Sequence, residues 1–167
     1  CCAFTVTKAF ATDYPNTFHA MWRSIVDAAH YASDPAHRKE IAAVIAPANY
    51  LNQPVTVLEQ VLTGTYSDGL GKIQKVPDRI DFDPYPWHSM AIWILTQMKR
   101  WGHVKGDVNY RGVAEQVYLA AGCDRIAKEL GYQTQQATAT KHMIMGREFD
   151  PSQAENYLKA FTIHNMA

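Results

Sequence analysis

Apolar residues in this chain recur mostly at three- and four-residue intervals, the spacing that lines one side of an α-helix. Phe18, Met21, Trp22, Ile25 and Ala29 form such a row behind Pro15, whose fixed φ suits a first helical turn, and they predict a helix over 15–33. Asp34-Pro35 ends that helix and opens another, an N-cap aspartate ahead of a first-turn proline, carrying Ile41, Val44 and Ile45 up to Pro47. The same device stands at Asp150-Pro151, ahead of a short helix with Tyr157, Leu158 and Phe161. A third helix begins at Pro54, uses Val55, Leu58, Val61 and Leu62, and stops at Gly64. Alternation replaces helical spacing only in residues 3–8, where Phe4, Thr5, Val6 and Thr7 predict one short strand.

Residues 80–102, IDFDPYPWHSMAIWILTQMKRWG, carry the most information. Asp83-Pro84 and Tyr85-Pro86 hold the backbone extended, because a residue before proline is pushed out of the helical region. A helix then starts near Trp87. Trp87, Met90, Ala91, Ile94, Leu95, Met98 and Trp101 predict its buried stripe, and Gly102 its end. Ile92 and Trp93 fall off that stripe, so the helix is apolar on more than one side and expects cover on more than one side.

Between these elements, residues 65–86 hold Gly69, Gly71, Pro77, Pro84 and Pro86 with little periodicity, and predict a long docking loop. Asp107 is a candidate cap for a helix with Val113, Ala114, Val117 and Tyr118; Gly122 and Asp124 then separate it from a short helix ending at Gly131, the two forming an antiparallel pair. Residues 132–145, rich in Thr and Gln, are expected to be irregular. The fold class expected of the chain is therefore mainly α, a single domain over 1–167 with one N-terminal strand at 3–8.

Composition adds mostly exclusions. Sixteen basic residues balance sixteen acidic ones, so no positive field draws the chain to nucleic acid. The apolar runs are far shorter than the roughly 20 residues of a membrane helix. The chain starts at Cys1-Cys2 without a methionine and is expected to be cut from something longer, so a missing leader does not settle its compartment. Cys1 and Cys2 are neighbours that would bridge only under strain, and Cys123 is expected as a small buried thiol.

Chemistry is sparse. The seven histidines show no pair at i, i+4, and Cys-x-x-Cys is absent, so no metal or other cofactor is expected. There is no Gly-x-Ser-x-Gly and no phosphate loop; Gly69-Leu70-Gly71 lacks a preceding strand. Asp78, Asp81 and Asp83 are expected as a solvated acidic loop, without the glycine and terminal glutamate of a calcium loop. The chain is expected not to be an enzyme. His88, beside Trp87 at a helix start, is the histidine that can either meet a ligand or serve the fold by capping and packing.

Five blocks, CCAFTVTKAFATDYPNTF, AMWRSIVDAAHYA, IAPANYLNQPVTVLEQVLTG, VPDRIDFDPYPWHSMAIWILTQMKRWG and FDPSQAENYLKAF, resemble collinearly the nitrate- and bicarbonate-binding proteins of ABC importers. The resemblance implies the C-terminal part of a two-lobed, type 2 periplasmic-binding-protein fold, α/β in the whole protein, with residues 3–8 as a strand returning between lobes. It implies a solute-binding role for nitrate, nitrite or bicarbonate, an ABC permease of the inner membrane as partner, and a periplasmic or lipid-anchored location. The alternative it leaves open is a cytoplasmic ligand-sensing domain attached to a transporter ATPase or regulator. Most ligand contacts of the family lie upstream of these residues. One falls at their edge: Cys2 occupies the position where the family often has a lysine, and Lys8 is the neighbouring cation. Cys2, Lys8 and His88 are thus the candidate ligand-binding residues. A chain exposing the apolar faces of half a protein is also expected to self-associate, by exchange of the first strand or the long loop.

Overall fold

The computed structural model describes residues 3–162, and the chain divides into two compact units, Cys1–Pro84 and Tyr85–Ala167. The first unit opens on extended backbone that pairs with no strand among the described residues. The strand expected at 3–8 is thus not formed. Thr7 instead caps a helix, its hydroxyl accepting from the Phe10 N–H at 3.1 Å, and Lys8 is the first residue of α1 (Lys8–Asp13). Local capping has overridden the β-propensity of Phe-Thr-Val-Thr, which needs a neighbouring strand to count.

Pro15 then starts α2 (Pro15–Ser33) as expected. Phe18 on its first turns stacks on Phe4 and Trp22, with centroids 6.5 and 5.2 Å away, while Val26 and Ala32 are buried further along. Asp34 accepts from the Ala36 N–H at 2.8 Å and heads a single 3₁₀ turn that runs into α3 (Arg38–Ile45). α4 (Val55–Thr63) packs on α3 and ends at Gly64, which has φ +67°. Ala42, Ala46 and Leu62 are buried in this unit, and with them, unexpectedly, Arg38.

The segment expected as a structureless loop contains a hairpin, β1 (Thr65–Ser67) against β2 (Ile73–Lys75), antiparallel with Tyr66 opposite Gln74. Asp68 holds its turn. Its carboxylate accepts from the N–H groups of Leu70 and Lys72 and from the Gln74 amide, and the first two bonds in particular hold its carboxyl below the ordinary range.

In the second unit Trp87 caps α5 (His88–Arg100), with α6 (Tyr110–Val117) and α8 (Ala154–Lys159) packed against it. Phe149, Ala114, Ala91, Ile92 and Ala154 make the core, lined by Trp93, Tyr110, Tyr118, Ile144 and Tyr157. The face of α5 turned inward is therefore mostly one that the stripe left out, Ala91 being the only buried residue of the stripe among those described. Ser89, Ala91, Ile92 and Thr96 are buried, whereas Met90, Ile94, Met98 and Trp101 are exposed. Small residues decide this: Ala91 and Ser89 on α5, Ala114 on α6 and Ala154 on α8 let the helices approach closely, and a methionine row would hold them apart.

Asn109, not Asp107, caps α6, accepting from the Gly112 N–H at 3.0 Å. Gly122 and Asp124 lie within α7 (Ala120–Glu129) and do not separate helices; α6 packs chiefly on α5 instead of pairing with α7. Part of the stretch expected to be irregular is a second hairpin, β3 (His142–Ile144) with β4 (Arg147–Phe149), turning through Met145 and Gly146 at φ +50° and +77°. Two positive φ values in succession are the signature of a hairpin turn whose usual residues are Asn-Gly. Asp150 then caps a 3₁₀ turn leading into α8, accepting from the Ser152 N–H at 2.9 Å. No described helix is long and apolar enough to cross a membrane.

Candidate functional site

Three residues were expected to contact ligand. Cys2 lies outside the described residues. Lys8 belongs to the first unit, exposed at the first turn of α1, where its carbonyl accepts from the Thr12 hydroxyl at 2.8 Å. His88 belongs to the second unit, at the start of α5.

A polar cluster of the second unit surrounds His88. Its backbone N–H donates to the Thr138 carbonyl at 2.7 Å, and its Nε2 meets the Tyr118 carbonyl at 2.9 Å. A carbonyl only accepts, so Nε2 carries the proton. Next in the chain, Ser89 is fully buried, with Oγ 2.7 Å from Nε2 of His142 and 3.4 Å from the Thr140 N–H that donates to it. Trp87 stands edge-on to both Tyr85 and His142, at centroid distances of 4.8 and 6.3 Å. The Tyr85 hydroxyl donates to Asp124 at 3.3 Å, and Asp124 also accepts from the Gln135 N–H. The start of α5 thereby fastens the irregular chain of residues 132–141 through the His88 N–H and the Ser89 hydroxyl, and Asp124 of α7 holds it at Gln135.

Chemically this arrangement binds backbone. The Ser89–His142 pair has the hydroxyl-to-imidazole distance of a nucleophile and its base, yet a serine with no exposed surface cannot reach an acyl group. Sequence reasoning missed the pair, since the partners are 53 positions apart and no local spacing announces them. It missed Glu155 as well. That carboxylate accepts from Lys99 at 2.7 Å and from the Tyr110 hydroxyl at 2.8 Å. Lys99 foremost holds Glu155 below its ordinary value, while burial, helped by Glu155, pushes the Tyr110 hydroxyl well above its own. Among the described residues no three His, Cys, Asp or Glu side chains gather as a metal site.

The fold and this cluster can be set beside known proteins. The NMT1-like family matches residues 1–46. The nitrate/nitrite binding protein NrtA of Nostoc sp. is 25% identical over 172 residues, which cover 96% of this chain and 39% of that protein. The bicarbonate transport ATP-binding protein CmpC of Synechocystis sp. is likewise 25% identical, over 95% of this chain but 24% of its own length. In three dimensions the crystal structure of the periplasmic nitrate-binding protein NrtA from Synechocystis matches 92% of this chain with a TM-score of 0.83, at 18% identity and 43% of that chain. The fold is therefore that of part of a periplasmic binding protein. The chain spans about a quarter to two-fifths of the length of these relatives.

Proposed function

Because the chain is homologous to part of the nitrate- and bicarbonate-transport proteins, we propose that it is the C-terminal portion of the solute-binding component of an ABC importer for a small planar anion. The collinear match to a nitrate/nitrite binding protein across nearly the whole chain carries this reading. The complete protein closes two lobes over the anion, replaces its water shell with fixed donors, and offers the closed form to an inner-membrane permease from the periplasmic side. No bond is made or broken, so the protein is not an enzyme.

Cys2 stands where the resemblance places a lysine. A thiol there removes a charge-assisted hydrogen bond to the anion, costing on the order of 1.5–3 kcal/mol. Lys8 is the next cation along the sequence, and its exposed ammonium is the group that compensates in this reading. His88 is a candidate of the second unit taken by itself: its Nε2 serves Tyr118, so a ligand there would be met through Nδ1. The chain also self-associates, because its exposed apolar faces are those a complete fold covers.

Calorimetric titration of the chain with nitrate, nitrite and bicarbonate, the last with and without calcium, tests the proposal. No heat is expected, because these residues hold only one side of a cleft. Saturable binding at micromolar affinity would show a complete site and sink the half-cleft reading.

One observation favours a second reading. The match to an ATP-binding transport protein spans 95% of this chain, so the same fold occurs joined to an ATPase, where it would sense the anion and tune transport. Sequence upstream of Cys1 separates the two: a leader peptide marks the binding protein, a Gly-rich phosphate loop the regulator.

A further inference from the structure

Residues 133–140 of the second unit run from the end of α7 to β3 without regular structure, and none of their side chains is buried. Gln, Thr and Ala make up the whole segment, so little apolar area holds it down. Its hold is polar. Among the described residues three hydrogen bonds tie it to neighbouring helices. The Gln135 N–H donates to Asp124 of α7 at 3.2 Å, the Thr138 carbonyl accepts from the His88 N–H at 2.7 Å, and the Thr140 N–H donates to the Ser89 hydroxyl at 3.4 Å. We propose that residues 133–140 are a strap that lifts from the start of α5 as one cooperative unit, a lid built over the buried Ser89–His142 pair.

The three bonds depend on one another. Each backbone residue held in place loses conformational entropy, and a single hydrogen bond at the surface does not offset that loss for the residues around it. Between positions 135 and 140 no buried side chain supplies a second hold, so releasing one bond leaves the others too few to keep the strap ordered. The bond to Ser89 is the weakest by length, which makes it the natural place for release to begin. Both ends of the strap are fixed. Gly131, at φ +80°, closes α7 on one side with the Tyr132 N–H donating to Ala127 at 2.8 Å, and the β3–β4 ladder begins at His142 on the other.

What the strap covers is specific. Ser89 has no exposed surface, although its hydroxyl lies 2.7 Å from Nε2 of His142. His88 is the first residue of α5, where an N–H has no acceptor inside the helix, so the Thr138 carbonyl is what shields it from water. Lifting the strap presents a hydroxyl, an imidazole nitrogen and a helix-start N–H together. The proposal is independent of the anion reading, since it concerns only contacts inside the second unit.

Amide hydrogen exchange of the full chain, read residue by residue by NMR, tests it, with circular dichroism confirming that each variant is folded. A single opening gives the N–H groups of His88, Gln135 and Thr140 one shared protection factor after correction for intrinsic rates, below that of Ile92 and Thr96 inside α5. Ser89→Ala abolishes protection at Thr140 and lowers it by a common factor of about ten at His88 and Gln135, neither of which bonds to the Ser89 side chain. Asp124→Ala does the same from the other end, abolishing protection at Gln135 and lowering it equally at His88 and Thr140. If Ser89→Ala fails to fold, Asp124→Ala decides. Unequal protection at the three amides of the wild type, or a variant that affects only the amide it touches, overturns the proposal by showing independent fraying. Protection equal to that of Ile92 and Thr96 overturns it as well, since the segment then opens only when the whole unit unfolds.

Discussion

Arg38 is a cation 7% exposed that meets no carboxylate among the described residues. Its Nη1 donates to the carbonyls of Leu62 and Pro77, each at 3.1 Å, and the Phe82 ring lies 5.9 Å from the guanidinium carbon. Leu62 ends its carbonyl near the C-terminus of α4, where the helix dipole is negative, so peptide dipoles take the place of a counter-ion. One side chain thereby ties the start of α3 to the end of α4 and to the chain beyond β2. The Nε atom is buried without a partner, which raises the cost of keeping this charge inside. Arg38→Met is expected to leave both carbonyls unmet and to lower stability by about 1.5–3 kcal/mol, read from the urea midpoint. Arg38→Lys should recover only part of this, because an ammonium lacks the planar guanidinium whose Nη1 meets both carbonyls. An unchanged midpoint in Arg38→Met would refute the clamp. No sequence signal marks Arg38, which reads as one more polar residue after Asp34-Pro35-Ala36-His37. His88 was legible only as a residue at a helix start; its tie to Tyr118, 30 positions away, needed the fold.

At the scale of elements, punctuation was legible and orientation was not. Pro15, Asp34-Pro35, Pro54 and Gly64 mark helix ends because each acts on its own backbone: a locked φ, a side-chain cap, a left-handed residue. The hairpins escaped notice because strands of three residues have no room to alternate, and Met145-Gly146 is a poor likeness of the turn it forms. The buried face of α5 could not be read either. Both sides are apolar, and the choice between them rests on the small residues of α6 and α8, which lie far along the chain. Gly64 joins two of these elements, since its carbonyl accepts from the Val76 N–H at 2.8 Å and a Cβ would stand 1.8 Å from the Val76 oxygen. Val76 N–H would lose that partner if the backbone moved to relieve the clash. Gly64→Ala therefore carries a left-handed penalty of about 1–2 kcal/mol and a steric one besides. The expected result is a lower melting temperature with faster proteolysis between residues 65 and 77. Melting and cleavage equal to wild type would mean that the hairpin is not seated on the end of α4.

The molecule as a whole carries a pH dependence that follows from three carboxylates placed in different elements. Asp68 is lowered by the backbone N–H groups of Leu70 and Lys72, Asp150 by the hydroxyl and N–H of Ser152, and Glu155 by Lys99. Each titrates lower in the fold than in the unfolded chain, whose ordinary values are 3.8 for aspartate and 4.5 for glutamate. The unfolded state therefore takes up protons first as pH falls. Their stabilisation is present in full above about pH 5 and is lost as pH drops through the depressed folded values. Net charge adds to this at the acid end, where it approaches the sum of sixteen Lys and Arg and seven His, and compact states suffer from such self-repulsion. Salt separates the two contributions. Repulsion between exposed charges is screened, whereas the carboxylate hydrogen bonds to backbone and hydroxyl groups at Asp68 and Asp150 are not removed by it. Thermal unfolding followed from pH 7 to pH 2 should show a plateau down to about pH 5 and then a steep fall that high salt reduces without abolishing. Asp68→Asn should flatten part of the remaining fall, because its amide does not titrate and still offers an oxygen to the turn. A salt-saturated profile identical in wild type and Asp68→Asn would show that acid lability comes from net charge alone.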